Sequence, residues 1–228
     1  MPRDFFLHFG AFAALYAAAI ALATLLFRMI DHTFPDELRN NYYYYYSDPY
    51  SGPMRFAIAS LIILIPIFLS LMRTIQKEAR LMPERYALTT RRWLTYITLF
   101  AAGATIIGDL IALLNSFLGG TLATPFLLKV LALLAIVGIV FWYFLLDIRG
   151  YWQNNERTSK NVGYGVIGLT IVVIVAGFVI MGSPMAQRQI RFDQQQIQDL
   201  SMIQQQILNY WQQNERLPKT LPELESSL

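Results

Sequence analysis

Five apolar stretches, each long enough to cross a membrane as a helix, constrain this chain more than any other feature of its sequence. They lie at about residues 5–27, 56–72, 93–118, 126–146 and 162–181. A helix rises about 1.5 Å per residue, so about 20 apolar residues cross the hydrocarbon core of a bilayer. Charged residues make up 14% of the chain, against about 25% in soluble domains. The sequence therefore predicts an all-α, five-span transmembrane bundle in residues 1–182 and a helical tail in residues 183–228.

Lysine and arginine are unevenly distributed between the predicted loops. With the N-terminus inside, the cytoplasmic segments are residues 1–4, 73–92 and 147–161. They hold ten basic residues, whereas the opposite loops at 28–55 and 119–125 hold three. Cytoplasmic loops normally carry this excess. We therefore expect the N-terminus in the cytoplasm, and five spans then place the tail on the other side of the membrane.

Two charged residues fall within the predicted spans, Asp109 and Lys129. A charge at the centre of a bilayer is costly, so each is a candidate functional residue. Lys129 lies near the outer end of its span, where its long side chain can extend to the interface or bind Asn115. Asp109 either holds two helices together as a protonated or paired carboxyl or serves as a proton or cation site. In the second case, Lys129 and three residues near the outer surface would surround it in a small transporter or channel: Arg28, Asp31 and His32.

No set of residues in the sequence indicates catalysis, a metal site or a cofactor. The chain has no cysteine, and its two histidines, His8 and His32, are predicted on opposite sides of the membrane. The glycines from Gly163 to Gly168 match a dinucleotide-binding pattern but open a predicted transmembrane helix, where glycine permits helix packing. We expect a non-enzymatic protein with no catalytic residues, no metal, no cofactor and no nucleic-acid partner, and a membrane enzyme is the least favoured alternative.

The tail contains the most informative pattern outside the membrane. Ser183 and Pro184 form a helix start signal. Apolar residues then recur at Ile190, Ile197, Leu200, Ile203, Ile207 and Tyr210, while eleven glutamines lie between residues 187 and 213. This spacing predicts a long amphipathic helix whose apolar stripe must be covered. The isoleucines of this stripe and Leu200 are therefore the predicted partner contacts, although the stripe could also fold back on the outer loop or lie along the membrane.

The opening residues 2–8, Pro-Arg-Asp-Phe-Phe-Leu-His, and the hydrophobic pattern that follows resemble a bacterial multi-pass membrane family, domain of unknown function 5671. The resemblance covers roughly the first 150 to 180 residues. It implies a bacterial integral membrane protein and assigns no activity and no functional residues.

The fifth span with the tail looks like the first helix of type IV pilins and pseudopilins. After the apolar span, the matching residues are Pro184, Arg191, Asp193, Asp199, Leu200, Ile203, Tyr210, Leu217 and Pro218. Four spans precede this helix, and the pattern of a leader-peptidase site is missing. The resemblance implies a shared helical design with partner binding, without processing as a pilin.

Together these features predict an anchor or scaffold in the bacterial inner membrane. Its partners would be the lipid bilayer and, through the tail, either a second copy of the chain or a protein of the cell envelope. A small transporter or channel that uses Asp109 is the alternative.

Overall fold

The computed structural model describes residues 2–34, 51–81, 89–120, 123–182 and 184–218, and within these ranges it is helical with short turns. The helices in chain order are α1 (Pro2–Thr33), α2 (Ser51–Leu81), α3 (Thr89–Leu118), α4 (Thr124–Ile148), α5 (Tyr151–Asn154), α6 (Glu156–Met181) and α7 (Pro184–Asn214). In the described part of the chain, α1, α2, α3, α4 and α6 are long and apolar enough to cross a membrane. The predicted helical class and the five spans are confirmed.

The helices are longer than the apolar stretches that predicted them. Helix α2 begins at Ser51, ends at Leu81 and continues through Pro66. Helix α3 begins before Arg91, and α4 continues past Asp147. Two residues that the sequence pattern placed in cytoplasmic loops, Arg91 and Asp147, therefore belong to membrane-spanning helices.

The described residues divide into two units, one ending at Met181 and one containing residue 182 and α7. In the first unit, α1 packs most extensively against α2. Small residues on one face of α1, Ala18 and Ala21, allow this approach, since alanine brings helix backbones close together. The core is completed by α2 residues such as Leu61 and by Met181 at the end of α6.

Gly177 is the glycine that this core requires. A Cβ atom at residue 177 would lie 3.1 Å from side-chain carbons of both Leu25 and Ile58. By contrast, a Cβ atom at Gly163, Gly165 or Gly168 would have no atom within 4 Å. The predicted packing role of the glycines at 163–168 is therefore wrong in this unit, and the close approach occurs further along the same helix.

Glycines in the left-handed region end two of the spans. Gly120 has φ of 64° in the turn after α3, and Gly150 has φ of 71° after α4. The amide of Gly150 donates to the carbonyl oxygen of Asp147 at 3.0 Å. Such glycines satisfy the last carbonyl groups of a helix without steric cost. The turn at Gly120 lies between α3 and α4, which are antiparallel neighbours, and the turn at Gly150 leads from α4 into α5.

The second unit is dominated by α7. Gly182 has φ of 80°, and the helix then begins at Pro184, as the sequence predicted. At the other end, the amide of Glu215 donates to the carbonyl oxygen of Trp211, and the Asn214 side chain donates to the carbonyl oxygen of Tyr210. Residues 219–228 lie outside the described part of the chain. The location of this helix outside the membrane stays a prediction.

Candidate functional site

A buried ion pair joins the start of α3 to the end of α4. The Nη2 atom of Arg91 donates hydrogen bonds to both carboxylate oxygens of Asp147, at 2.7 and 2.8 Å. Their side chains are only 8% and 5% exposed. A charge-assisted pair of this kind offsets the desolvation of both groups only when its geometry is good. The pair therefore fixes α3 and α4 at the end opposite their connecting turn.

Residues from other helices surround this pair. His8 on α1 is buried and close enough to Asp147 to interact with its charge. The hydroxyl of Thr95, one turn further along α3, donates to the carbonyl oxygen of Arg91 at 3.0 Å. On the α1 side, the rings of Phe12 and Phe144 are stacked with centroids 5.2 Å apart.

A second polar chain connects α2, α4 and α6 at the same end of the bundle. The hydroxyl of Ser159 donates to the side-chain oxygen of Gln76, and the side-chain nitrogen of Gln76 donates to the hydroxyl of Tyr143, each at 2.9 Å. Trp152 on α5 stacks on the Tyr143 ring and donates to the Tyr143 carbonyl oxygen at 3.0 Å. This end of the bundle is therefore fixed by oriented polar contacts as well as by apolar packing.

The exposed charges at this end are positive. Arginine and lysine side chains from four segments reach its surface, namely those of Arg73, Lys77, Arg92, Arg149, Arg157 and Lys160. Among the acidic side chains described in residues 5–181, none is exposed. Exposed aromatic residues, including Trp93, Tyr96 and Trp142, lie close to these cations in the sequence. Tryptophan and tyrosine concentrate where a membrane meets water. We call this surface the basic rim.

Lys129 pairs at the opposite end of the bundle. Its ammonium group forms a salt bridge with the Asp31 carboxylate, and its nitrogen lies 6.0 Å from the centre of the Phe27 ring. The two side chains are 21% and 23% exposed. The ion pair described for Lys129 thus joins α4 to α1, and its partner is neither Asn115 nor Asp109. Arg28 and His32, the other residues predicted around an outer vestibule, lie near the same end of α1.

Asp109 lies on the inward-facing side of α3. It follows the helical spacing of the buried residues Thr95, Thr98 and Ala102 and is itself half-buried. Its Oδ2 atom is shielded from solvent and has no hydrogen-bond partner among the described residues. The structure does not bring Asp109 together with Lys129 in an ion pair.

The predicted contact residues of the tail all lie on α7. Ile190, Ile197 and Leu200 are 38%, 40% and 65% exposed. Ile203 and Ile207 are half-buried. Within the described residues, no group of three metal-ligating side chains occurs.

The sequence did not single out Arg91 and Asp147, which are 56 residues apart. A signal was present in the spacing, because Arg91, Thr95, Thr98 and Ala102 lie on one face of a helix. The predicted span began at residue 93 and therefore excluded Arg91, although the helix itself begins before the point where hydropathy rises.

The long apolar helices and their buried polar contacts define an integral membrane protein of the all-helical, multi-span class. Residues 4–144, more than half of the chain, match the family described as Domain of unknown function (DUF5671). The chain belongs to this family, which confirms the resemblance inferred from its sequence. No curated protein and no solved structure matches the chain. The matched region includes α1 to α3 and most of α4.

Proposed function

We propose that this protein is a non-enzymatic membrane anchor whose helix α7 associates with α7 of a second copy. The observation that carries the proposal is the apolar stripe of α7, whose first half is exposed, with Leu200 at 65%, whereas Tyr210 at its far end is buried. Exposed apolar stripes on long helices are typical of surfaces that a partner helix covers. The steps of seven, three and four residues along the stripe are those found where helices pack side by side.

The charge of α7 favours another copy of the chain over a lipid surface. Residues 184–214 contain two arginines and two aspartates, so this helix has no net charge. Helices that lie on membranes usually carry a basic polar face, which attracts anionic lipids. The polar face of α7 is instead rich in glutamine. Two copies of this helix would meet without electrostatic repulsion.

Disulfide crosslinking tests the proposal directly, because the chain contains no cysteine. We expect Leu200→Cys to form crosslinked dimers when native membranes are oxidised mildly. Gln198→Cys is the matched control, since Gln198 is also exposed but lies on the opposite face of α7. Equal crosslinking of the two variants, or none in either, would contradict self-association through this stripe.

A double variant shows whether the crosslinks arise from specific association or from random collision. Ile197→Cys provides the crosslinking site, and Leu200→Asp is then added one turn further along the stripe. The added charge should reduce dimer yield severalfold, because it must be desolvated at the interface. Gln198→Asp is the control and should leave the yield unchanged. If Ile197→Cys crosslinks only to another protein of the membrane preparation, the partner is an envelope protein and the proposed self-association is wrong.

The proposed orientation places α7 outside the cytoplasm and the basic rim inside, with the bacterial inner membrane as the location. The excess of lysine and arginine in the predicted cytoplasmic segments supports it. Single cysteines at Gln198 and Arg157, both exposed positions, test it with a membrane-impermeant thiol reagent. Only the Gln198→Cys variant should react in intact cells. Reaction of Arg157→Cys alone would invert the topology.

A small transporter or channel centred on Asp109 is the second candidate function. It is favoured by the shielded Oδ2 atom of Asp109, which has no hydrogen-bond partner among the described residues. Ionisable groups within spans commonly mark ion or proton pathways. The test is proton and cation flux in proteoliposomes. Flux that is lost in Asp109→Asn and retained in Asn115→Ala would support this function, and absence of flux in the unmodified protein would remove it.

A further inference from the structure

Two residues of opposite charge lie along the same helix faces as the buried ion pair of α3 and α4. Asp109 follows Arg91 by 18 residues along α3, and Lys129 precedes Asp147 by 18 residues along α4. Eighteen residues make five turns of an α-helix and about 27 Å of length, so each of the two residues lies on the face of the pair. Arg91 is bonded to Asp147, and the two helices are antiparallel. Asp109 and Lys129 are therefore at the same level of facing helices.

The structure nevertheless gives Lys129 a different partner. Its ammonium group is bound to the Asp31 carboxylate near the outer end of α1. Asp109 is half-buried, and its shielded Oδ2 atom has no hydrogen-bond partner among the described residues. Lysine carries its charge on a flexible four-carbon stem, so one ammonium group can serve either of two carboxylates at this end of the bundle.

We propose that Asp109 binds a proton and that Lys129 is the cation that replaces this proton. The inference rests on the second candidate function and names the ion of its site. While Lys129 is bound to Asp31, Asp109 is protonated, because an ionised carboxyl group within a span is costly without a countercharge. When the proton leaves to the outer solution, Lys129 moves to the Asp109 carboxylate. The Asp31 carboxylate then stays ionised at the end of α1, one helical turn from Arg28.

The surroundings of Asp109 suit a proton better than a metal ion. Calcium and magnesium ions require about six oxygen ligands, whereas a proton requires one carboxylate oxygen. In the described ranges, no group of three metal-ligating side chains is present. Between residues 93 and 118, α3 carries no charged residue other than Asp109. The charged or titratable side chains that the packed helices bring to this end are Lys129 on α4 and Arg28, Asp31 and His32 on α1.

Infrared spectroscopy of the full chain in liposomes tests the proton at Asp109 directly. A protonated carboxyl group has a C=O stretching band that a carboxylate lacks. We expect such a band at neutral pH in the unmodified protein and its loss in Asp109→Asn. Asp193→Asn, which removes an exposed carboxyl group on α7, is the matched control and should leave the band unchanged. Absence of the band in the unmodified protein, or its persistence in Asp109→Asn, would overturn the proposal.

Substitutions at Asp31 and Lys129 test the exchange of partners. Asp31→Asn removes the carboxylate that holds Lys129, so Lys129 should bind Asp109 and the band should disappear. Asp31→Asn/Lys129→Gln also removes the competing cation and should restore the band, which distinguishes competition from a general disturbance of this end. Lys129→Gln alone should keep the band to a higher pH than the unmodified protein, which provides an independent test if Asp31→Asn folds poorly. Retention of the band in Asp31→Asn, or no restoration in the double variant, would show that the exchange is wrong.

Protonation and transport are measured separately, so the two proposals fail in different ways. If the band behaves as expected but proteoliposomes show no flux of protons or cations, Asp109 binds a proton and the transporter function is wrong. If flux depends on Asp109 although its band is absent, the proton exchange is wrong and the transporter function stands.

Discussion

The guanidinium of Arg91 donates from one nitrogen atom to both carboxylate oxygens of Asp147, at 2.7 and 2.8 Å, in a site that is almost completely buried. This contact joins α3 and α4 at the end where no loop connects them. The two helices therefore form a closed hairpin, which the connecting turn joins at one end and the ion pair joins at the other.

Replacement of one member of this pair should lower the free energy of unfolding much more than replacement of both members. Asp147→Leu leaves the Arg91 charge buried, so the free energy of unfolding should fall by about 3–5 kcal/mol. The double variant Arg91→Met/Asp147→Leu should be close to the unmodified protein, because neither charge then needs compensation. Thermal or denaturant unfolding in detergent micelles measures both. Equal destabilisation of the single and double variants would mean that the pair acts through packing alone.

Substitution of Gly177 should overpack the core between α1, α2 and α6. The two carbons at 3.1 Å from a new Cβ atom belong to Leu25 and Ile58. Gly177→Val should therefore reduce stability by about 1–3 kcal/mol. Gly168→Val, on the same helix with open space around its Cα, is the matched control and should have a smaller effect. The idea fails if both variants melt at the same temperature.

The hydrogen bond between Tyr16 and Thr98 should depend on the tyrosine as donor. The single hydroxyl proton of Thr98 is directed at the carbonyl oxygen of Leu94 at 2.8 Å, so the Tyr16 hydroxyl donates across the 2.7 Å contact. Tyr16→Phe removes the donor with little change in shape and should cost about 0.5–1.5 kcal/mol. In a Thr98→Ala background the same substitution should cost almost nothing. A full cost in that background would show that Tyr16 has another partner.

Reversal of the charge at either Lys129 or Asp31 should lower stability, and reversal of both charges together should restore it. Lys129→Asp or Asp31→Lys brings like charges together in a half-buried setting, and each should reduce stability by about 1 kcal/mol or more. The double variant recovers an attractive pair between α1 and α4. Unfolding of the four proteins under the same detergent conditions provides the coupling energy, and a coupling near zero would contradict the contact.

The fold could be predicted from this sequence to the level of its spans. Five long apolar stretches leave few alternatives, and α7 begins at Pro184, as the pair Ser183-Pro184 predicted. The ends of the helices could not be predicted in the same way. Hydropathy falls at residues 93 and 146, but the backbone hydrogen bonds continue to Thr89 and Ile148.

The polar contacts could not be predicted from the sequence, for a different reason. Lys129 and Asp109 could be recognised because they interrupt apolar stretches. Their residue types do not indicate which residues they contact. The choice of Asp31 for Lys129 depends on how α1 and α4 pack, which local pattern does not record. The predicted contacts on α7, from Ile190 to Ile207, remain predictions that crosslinking will decide.

The closed α3–α4 hairpin has a mechanical consequence. If one helix slid along the other by a single turn, about 5.4 Å, Arg91 could no longer reach Asp147. Such a movement would expose two opposite charges to an apolar interior. The ion pair therefore holds α3 and α4 together as one rigid unit, and a change in packing would have to occur where α1 contacts them.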